Sequence, residues 1–231
     1  MPAPARYTRA QLQQAALDLV DAQGLPALSM RALAGALGTG PMTIYNYVRD
    51  REALDALVVE AVLADARWPE ATDDWRHDVR ALVRAAWQAI GAHPHAIPLV
   101  LSRRTLHEAA LVPAEALLAA LSRSGRSGPA LLAAFRAVLG FVTGLAQVRL
   151  ARQPADDDPN IARVQAMDPA RFPKLIEIAD AAARVGPDYE LRAGLDIILA
   201  GLSPADAPSS SAARSARGSR SIRARASARD P

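Results

Sequence analysis

Apolar residues recur three and four positions apart along most of this chain, the spacing that lines one face of an α-helix. Leu12, Ala15, Ala16, Leu19 and Val20 form the first such face, and Met30, Leu33, Ala34 and Leu37 the second. Leu54, Leu57, Val58, Ala61 and Val62 form a longer one. Thr8 with Gln11 three residues on has the form of a capping box, and Gly24 stops the helix it opens. Ser29 caps the second helix and Gly38 ends it. Pro41 suits the first turn of a third, where its missing N–H would be unpaired in any case. Asp50 caps a fourth. Beyond Pro69, Thr72-Asp73-Asp74 opens a helix through Val79, Leu82, Val83, Ala86 and Ile90, ending at a bend marked by Gly91, Pro94 and Pro98. Further helices are predicted at about 98–108, 113–124, 129–151, 172–185 and 188–202. No alternating strand pattern competes, so the expected fold class is all-α.

Two stretches resist this pattern. Arg152–Pro169 holds three prolines and the run Asp156-Asp157-Asp158, and reads as a connecting loop, solvated rather than cation-binding. From Ser203 to Pro231 the chain is Ser, Ala, Arg and Pro with almost no large apolar residue. Such a tail cannot bury enough surface to offset its ordering entropy and is expected to be disordered.

Composition narrows the function classes. No run approaches the roughly 20 apolar residues of a membrane span, and Met1–Arg6 lacks the apolar core of a secretory signal. There is no cysteine, hence no disulfide framework and no thiolate metal site. A cytoplasmic protein with no membrane partner, no metal and no cofactor is the expectation. The net charge of +3 changes meaning once it is located. The tail carries six arginines against two aspartates, a net +4, while residues 1–60 carry five arginines against six acidic groups. Basicity therefore cannot support a nucleic-acid partner; only a motif can.

That motif lies at residues 28–48. Two short helices joined by a glycine turn have the shape of a helix-turn-helix, whose second helix enters a DNA major groove. Leu33, Ala34, Leu37, Ile44 and Val48 face inward, and Gly38 permits the left-handed backbone of a sharp turn. Thr43, Tyr45, Asn46 and Tyr47 then project outward. Thr43 can meet a thymine methyl or a phosphate, and Asn46 can pair with adenine in bidentate fashion. Tyrosine hydroxyls suit phosphate oxygens, with Arg31 and Arg51 as further backbone or guanine contacts.

Residues 8–65 resemble the N-terminal domain of TetR-family transcriptional regulators. The resemblance rests on Leu28-Ser29-Met30-Arg31-Ala32-Leu33-Ala34, Gly38, Thr43-Ile44-Tyr45, Val48 and Arg51-Glu52-Ala53-Leu54. Phe172–Ile176 and Tyr189–Leu202 are similar to the last two helices of its tetracycline-repressor branch. The resemblance implies a three-helix DNA-binding domain over 1–65 and a helical ligand-binding and dimerisation domain over 66–202, which leaves the Ser/Ala/Arg-rich tail expected to be disordered at 203–231. It implies that Arg31, Pro41, Met42, Thr43, Tyr45, Asn46, Tyr47 and Arg51 fall where the family contacts DNA, with Pro41, Met42 and Asn46 at variable, operator-selecting places. The implied protein is a repressor that binds a palindromic double-stranded operator and leaves it when a small-molecule effector enters the body.

A reading head without a strong positive field binds weakly as a single copy, because non-specific affinity is mostly phosphate neutralisation. A homodimer answers this through effective concentration. Its surface is expected on helices 129–151 and 188–202, where Gly140 and Gly144 lie one turn apart and admit a close helix; the same residues also fit an ordinary core. Candidates for lining an effector cavity are Trp75, Trp87, His93, His95, Arg103, Arg104, His107, Phe141 and Gln147. The tryptophans fit a core equally well, the two histidines a surface or capping role, and the arginine pair a solvated helix end. Where the tetracycline-repressor branch holds a magnesium-bound drug with a histidine, this chain has Leu101, which leaves the effector open. No catalytic motif appears, so no enzyme is expected. The other reading is a sequence-blind architectural protein that uses its basic tail.

Overall fold

The computed structural model describes residues 6–102, 108–151 and 159–202. It consists of helices, with no strand among the described residues: α1 Arg9–Gln23, α2 Met30–Ala36, α3 Pro41–Tyr45, α4 Arg51–Ala64, α5 Trp75–Ala92, α6 Ile97–Ser102, α7 Glu108–Ser122, α8 Gly128–Ala151, α9 Pro159–Gln165, α10 Pro173–Arg184 and α11 Pro187–Gly201. Single 3-10 turns precede α2 and α6, at Leu25–Ala27 and Pro94–Ala96.

Helix ends are set by local chemistry. The Gln11 backbone N–H donates to Thr8 Oγ1 while the Thr8 N–H donates to the Gln11 side chain at 2.8 Å, which closes the capping box of α1. Ser29 Oγ accepts from Ala32, and Asp50 Oδ1 accepts from Ala53 at 2.8 Å. Each pairs an N–H group that a helix start leaves orphaned, a contribution of about 1 kcal/mol per cap. Gly24 and Gly38 take φ of 78° and 62°, the left-handed region that a side chain rarely enters.

α1 packs against both α2 and α4, α2 packs against α3, and α4 joins this head to the helical body. Nine of its fourteen residues are buried, so it meets α1 on one side and the helical body on the other. A single apolar cluster runs from Leu12 on α1 through Leu57 and Val58 to Leu195 and Leu199 on α11. Because cores are close-packed, displacement of one part of such a cluster is felt by the rest.

Three expectations change. Pro113 does not open a helix: α6 ends at Ser102 and α7 already begins at Glu108, with Pro113 inside it. The expected loop over 152–169 contains α9, which starts at Pro159, a residue that loses nothing at a helix start. Packing of α9 against α10 gives this short helix a partner that periodicity could not reveal. The Asp156–Asp158 run and the tail from 203 fall outside the described residues. Third, one apolar run is long: Gly128–Val148 of α8 spans 21 residues at mean hydropathy 1.7, enough by length and composition to cross a bilayer. Leucine, valine, phenylalanine and alanine raise its mean hydropathy, while Arg136, Thr143 and Gln147 interrupt the continuous apolar run that a simple count looks for. Here α8 packs against α5, α6, α7 and α11.

Candidate nucleic-acid interface and effector cavity

α3 separates its faces sharply. Ile44 is fully buried and Val48, just past the helix, nearly so, while Met42 is 76% exposed and Tyr45 48%. Pro41 and Asn46 are also exposed; Thr43 and Tyr47 are half-buried. Gly40 precedes the helix and offers no side-chain cap, Pro41 has no N–H to leave unpaired, and the Thr43 N–H donates to the Gly40 carbonyl at 3.0 Å. Arg31 stands exposed on α2.

Arg51 and Tyr47 do more than face outward. Arg51 Nε donates to Asp55 Oδ1 at 2.7 Å, and its Nη1 donates to the Leu28 carbonyl at the same distance, tying the first turn of α4 to the segment before α2. Part of its donor fork therefore holds the head together. Tyr47 Oη accepts from the backbone N–H of Arg6 at 2.8 Å and of Tyr7 at 3.2 Å, so the expectation of a fully projecting tyrosine is corrected. Only a contact forty residues away explains the difference.

Between α4, α5, α6, α7 and α8 lies a cavity of about 610 Å³. Its wall is apolar: Val59 and Leu63 from α4, Val100 and Leu101 from α6, and Phe135 and Val142 from α8 are among its residues. Trp68 closes one side and donates its indole N–H to the Leu63 carbonyl at 3.3 Å. Thr143 is the one hydroxyl among the described lining residues, and it donates to the Leu139 carbonyl at 2.6 Å.

The expected lining residues lie elsewhere. Trp75 is half-buried at the start of α5 under the Arg76 guanidinium, 4.5 Å from its ring. Trp87 is buried and donates its N–H to Asp188 Oδ1 at 2.9 Å, in a separate polar groove between α5 and α11. His93 Nδ1 donates to Asp21 Oδ2 at 2.6 Å. His95 Nδ1 donates to the Val20 and Asp21 carbonyls at 3.2 and 3.0 Å, satisfying the open end of α1. Phe141 packs against Gly194, and Gln147 is exposed on α8. Polar and aromatic side chains attract attention as ligand contacts; here they make capping, core and interhelical contacts. Arg103, Arg104 and His107 fall outside the described residues. Periodicity does not single out Trp68, Phe135 or Thr143 as lining, although Phe135, Val138, Leu139 and Val142 form one stripe on the 129–151 helix expected to serve as core or dimer surface.

Leu101 does line the cavity. Among the described residues the wall carries no carboxylate or imidazole, and no group of three metal-ligating side chains occurs. The donor set does not fit a magnesium-bound ligand.

Two connections run from the cavity wall to α1. Glu60, beside Val59 on α4, accepts from Arg9 at 2.6 and 2.9 Å and from Gln13 at 2.7 Å. The Arg9 pKa is raised by this pairing, although its side chain is mostly exposed and the pair is correspondingly weak. The second connection is the turn carrying His93 and His95, which leads directly into α6. At the far end of the body, Asp78 is buried on α5. Donation from Arg123 in the turn after α7, then from Thr72, holds its carboxyl at about 2, well below the ordinary value.

Comparison with known proteins gives the geometry its family. Residues 68–205 match the family described as "Tetracyclin repressor-like, C-terminal domain". The HTH-type transcriptional repressor DrrR1 of Streptomyces coeruleorubidus is 30% identical over 203 residues, covering 82% of this chain and 74% of the relative. The class A tetracycline repressor protein from transposon 1721 of Escherichia coli is 30% identical over 193 residues, covering 82% and 87%. Among solved structures, the TetR family protein ActR of Streptomyces coelicolor in complex with actinorhodin superposes with a TM-score of 0.75 at 28% identity, covering 86% of this chain and 96% of that one. The chain belongs to the TetR family of transcriptional regulators, which are DNA-binding proteins and not enzymes.

Proposed function

We propose that this protein is a cytoplasmic repressor that binds a palindromic DNA operator as a homodimer and is released by a small, largely apolar effector. The reading head is residues 1–65, the effector and dimer body 66–202, and 203–231 a basic extension. Arg31, Pro41, Met42, Thr43, Tyr45, Asn46, Tyr47 and Arg51 form the DNA face, and Met42, Tyr45 and Asn46 are its exposed reading residues.

The observation that carries this reading is the double use of α4. Val59 and Leu63 line the cavity while Glu60 between them is bonded to α1, so a ligand that displaces the wall displaces the head. The cavity lies within the range of small-molecule sites, about 300–1,000 Å³. Its aromatic and aliphatic wall favours a planar, uncharged, polycyclic compound. Binding of actinorhodin by ActR supports a small molecule as the occupant of a body with this fold.

The dimer follows from what α8 leaves open. Leu132, Arg136, Gly140, Gly144 and Val148 form one exposed row along it, and a Cβ at either glycine would meet nothing within 4 Å inside the chain. Ile197 on α11 adds a large exposed apolar side chain, 75% accessible. A second copy covers this surface, because a monomer in water gains nothing from exposing it.

Selection of bound sequences from a random DNA pool tests the whole reading. A palindrome with half-sites about one helical turn apart, or a multiple of it, is the expected outcome. Binding without sequence preference would overturn it. Ala114→Phe, which fills the cavity from α7, is expected to keep operator binding while abolishing release by actinorhodin.

A further inference from the structure

The residues before α1 are tied to the segment that follows the reading helix. The Arg6 and Tyr7 N–H groups both donate to Tyr47 Oη, and Tyr7 Oη donates to the Leu37 carbonyl at 2.8 Å. The two tyrosine rings meet edge to face, 6.2 Å between centroids and 71° between planes. This geometry is attractive beyond the area it buries. The Arg6 guanidinium lies 5.5 Å from the Tyr7 ring centroid, so a flexible cation is held against a fixed surface.

Two consequences follow. A phenol oxygen has two acceptor sites and one proton; two N–H groups fill the acceptor sites, which leaves Tyr47 as a donor toward solvent. Of the five arginines in residues 1–60, Arg9 and Arg51 are committed to Glu60 and Asp55. Arg6 has no carboxylate partner among the described residues and stands within one side-chain length of the Tyr47 hydroxyl. The Tyr47 hydroxyl, and the Arg6 cation on the arm bonded to it, suit a phosphate oxygen near the end of α3.

We propose that Arg6 contacts the DNA phosphate backbone, and that Tyr7 and Tyr47 are positioning residues that hold it beside the reading helix. The proposal rests on the DNA-binding reading above. It also answers the charge problem of the head, in which few cations are free to neutralise phosphate.

Salt dependence separates a positioned charge from a neutral contact. The logarithm of the binding constant falls with the logarithm of salt concentration by about 0.9 per neutralised phosphate. Wild type, Arg6→Gln, Arg6→Lys and Tyr47→Phe are titrated by fluorescence anisotropy over a potassium chloride series. Each is tested against a random-sequence duplex and against the operator obtained by selection. Arg6→Gln is expected to lower the slope by about 0.9 per reading head on both DNAs, and Arg6→Lys to restore it. Tyr47→Phe removes no charge; it is expected to lower the slope as well, because the arm that carries Arg6 is released. An unchanged slope in Arg6→Gln overturns the contact. A full slope in Tyr47→Phe beside a reduced one in Arg6→Gln overturns the positioning role. Wild type that binds neither DNA overturns the DNA-binding reading itself, and this proposal with it.

Discussion

His93 Nδ1 donates to Asp21 Oδ2 at 2.6 Å while its Nε2 stands 3.5 Å from Asp65 Oδ2, so one imidazole meets the ends of α1 and α4 together. It sits on the turn that leads into α6, whose Val100 and Leu101 line the cavity. A ring in this place joins the effector wall to both long helices of the head. Replacement by alanine removes a hydrogen bond to a charged group, a loss of about 1.5–3 kcal/mol. His93→Ala is expected to lower the urea midpoint and to speed amide exchange in the last turn of α1, with α8 and α11 unchanged. Uniform exchange across the chain would show that the ring is not a local link.

Gly194 on α11 faces Phe141 on α8 so closely that a Cβ there would fall within 2.6 Å of Phe141 Cε2, and closer still to Cζ. Carbon atoms prefer about 3.5–4.0 Å. Gly194→Ala would gain about 1 kcal/mol of helix propensity on an exposed surface. Here overpacking, about 1–3 kcal/mol, opposes that gain, and the ring cannot move without disturbing the α8–α11 contact. A net loss is expected, with Tm falling by about 2–4 °C per kcal/mol. Adding Phe141→Leu is expected to recover most of it, a coupling that a thermal double-mutant cycle measures.

Helix capping and the faces of α1 to α4 were legible in the sequence because each depends on residues a few positions apart. Thr8, Ser29 and Asp50 cap their helices as expected, and Ile44 and Val48 are buried while Tyr45 is exposed. The tie between Arg6, Tyr7 and Tyr47 was not legible, since its partners are forty residues apart and nothing in their spacing announces a contact. The cavity is hidden in the sequence for a related reason. An apolar stripe such as Phe135, Val138, Leu139 and Val142 looks the same whether it faces a core, a partner or an internal void. Only the three-dimensional path of α4 to α8 decides between them.

Acid unfolding is expected to respond to Asp78. Thr72 donates to it through Oγ1 at 2.7 Å and through its N–H, and Arg123 donates from the turn after α7. The folded carboxyl, at about 2, lies below the ordinary 3.8. A depressed folded value means that the unfolded chain takes up the proton first as pH falls. The stabilisation is therefore complete above about pH 4 and is lost progressively toward pH 2. Asp78→Asn is expected to unfold at lower temperature than wild type at pH 7, with the gap closing as pH drops through that window. A gap that stays constant from pH 7 to pH 2 would mean that charge is not what Asp78 contributes.

Asn46 separates base reading from backbone binding. It is exposed just beyond α3, adjacent to Tyr45 and beside the Tyr47 that holds the N-terminal arm. An amide can give and take a hydrogen bond on one adenine edge, and such a bidentate pair discriminates by about 1–3 kcal/mol against another base. Its loss changes no charge. Asn46→Ala is expected to relax preference at one base pair of each half-site while leaving the salt slope at its wild-type value. Arg6→Gln is expected to do the reverse, lowering the slope without altering the selected sequence. If both variants moved the same quantity, the division of the head into a reading helix and a phosphate-binding arm would fail, because a residue that only anchors the backbone carries no sequence information.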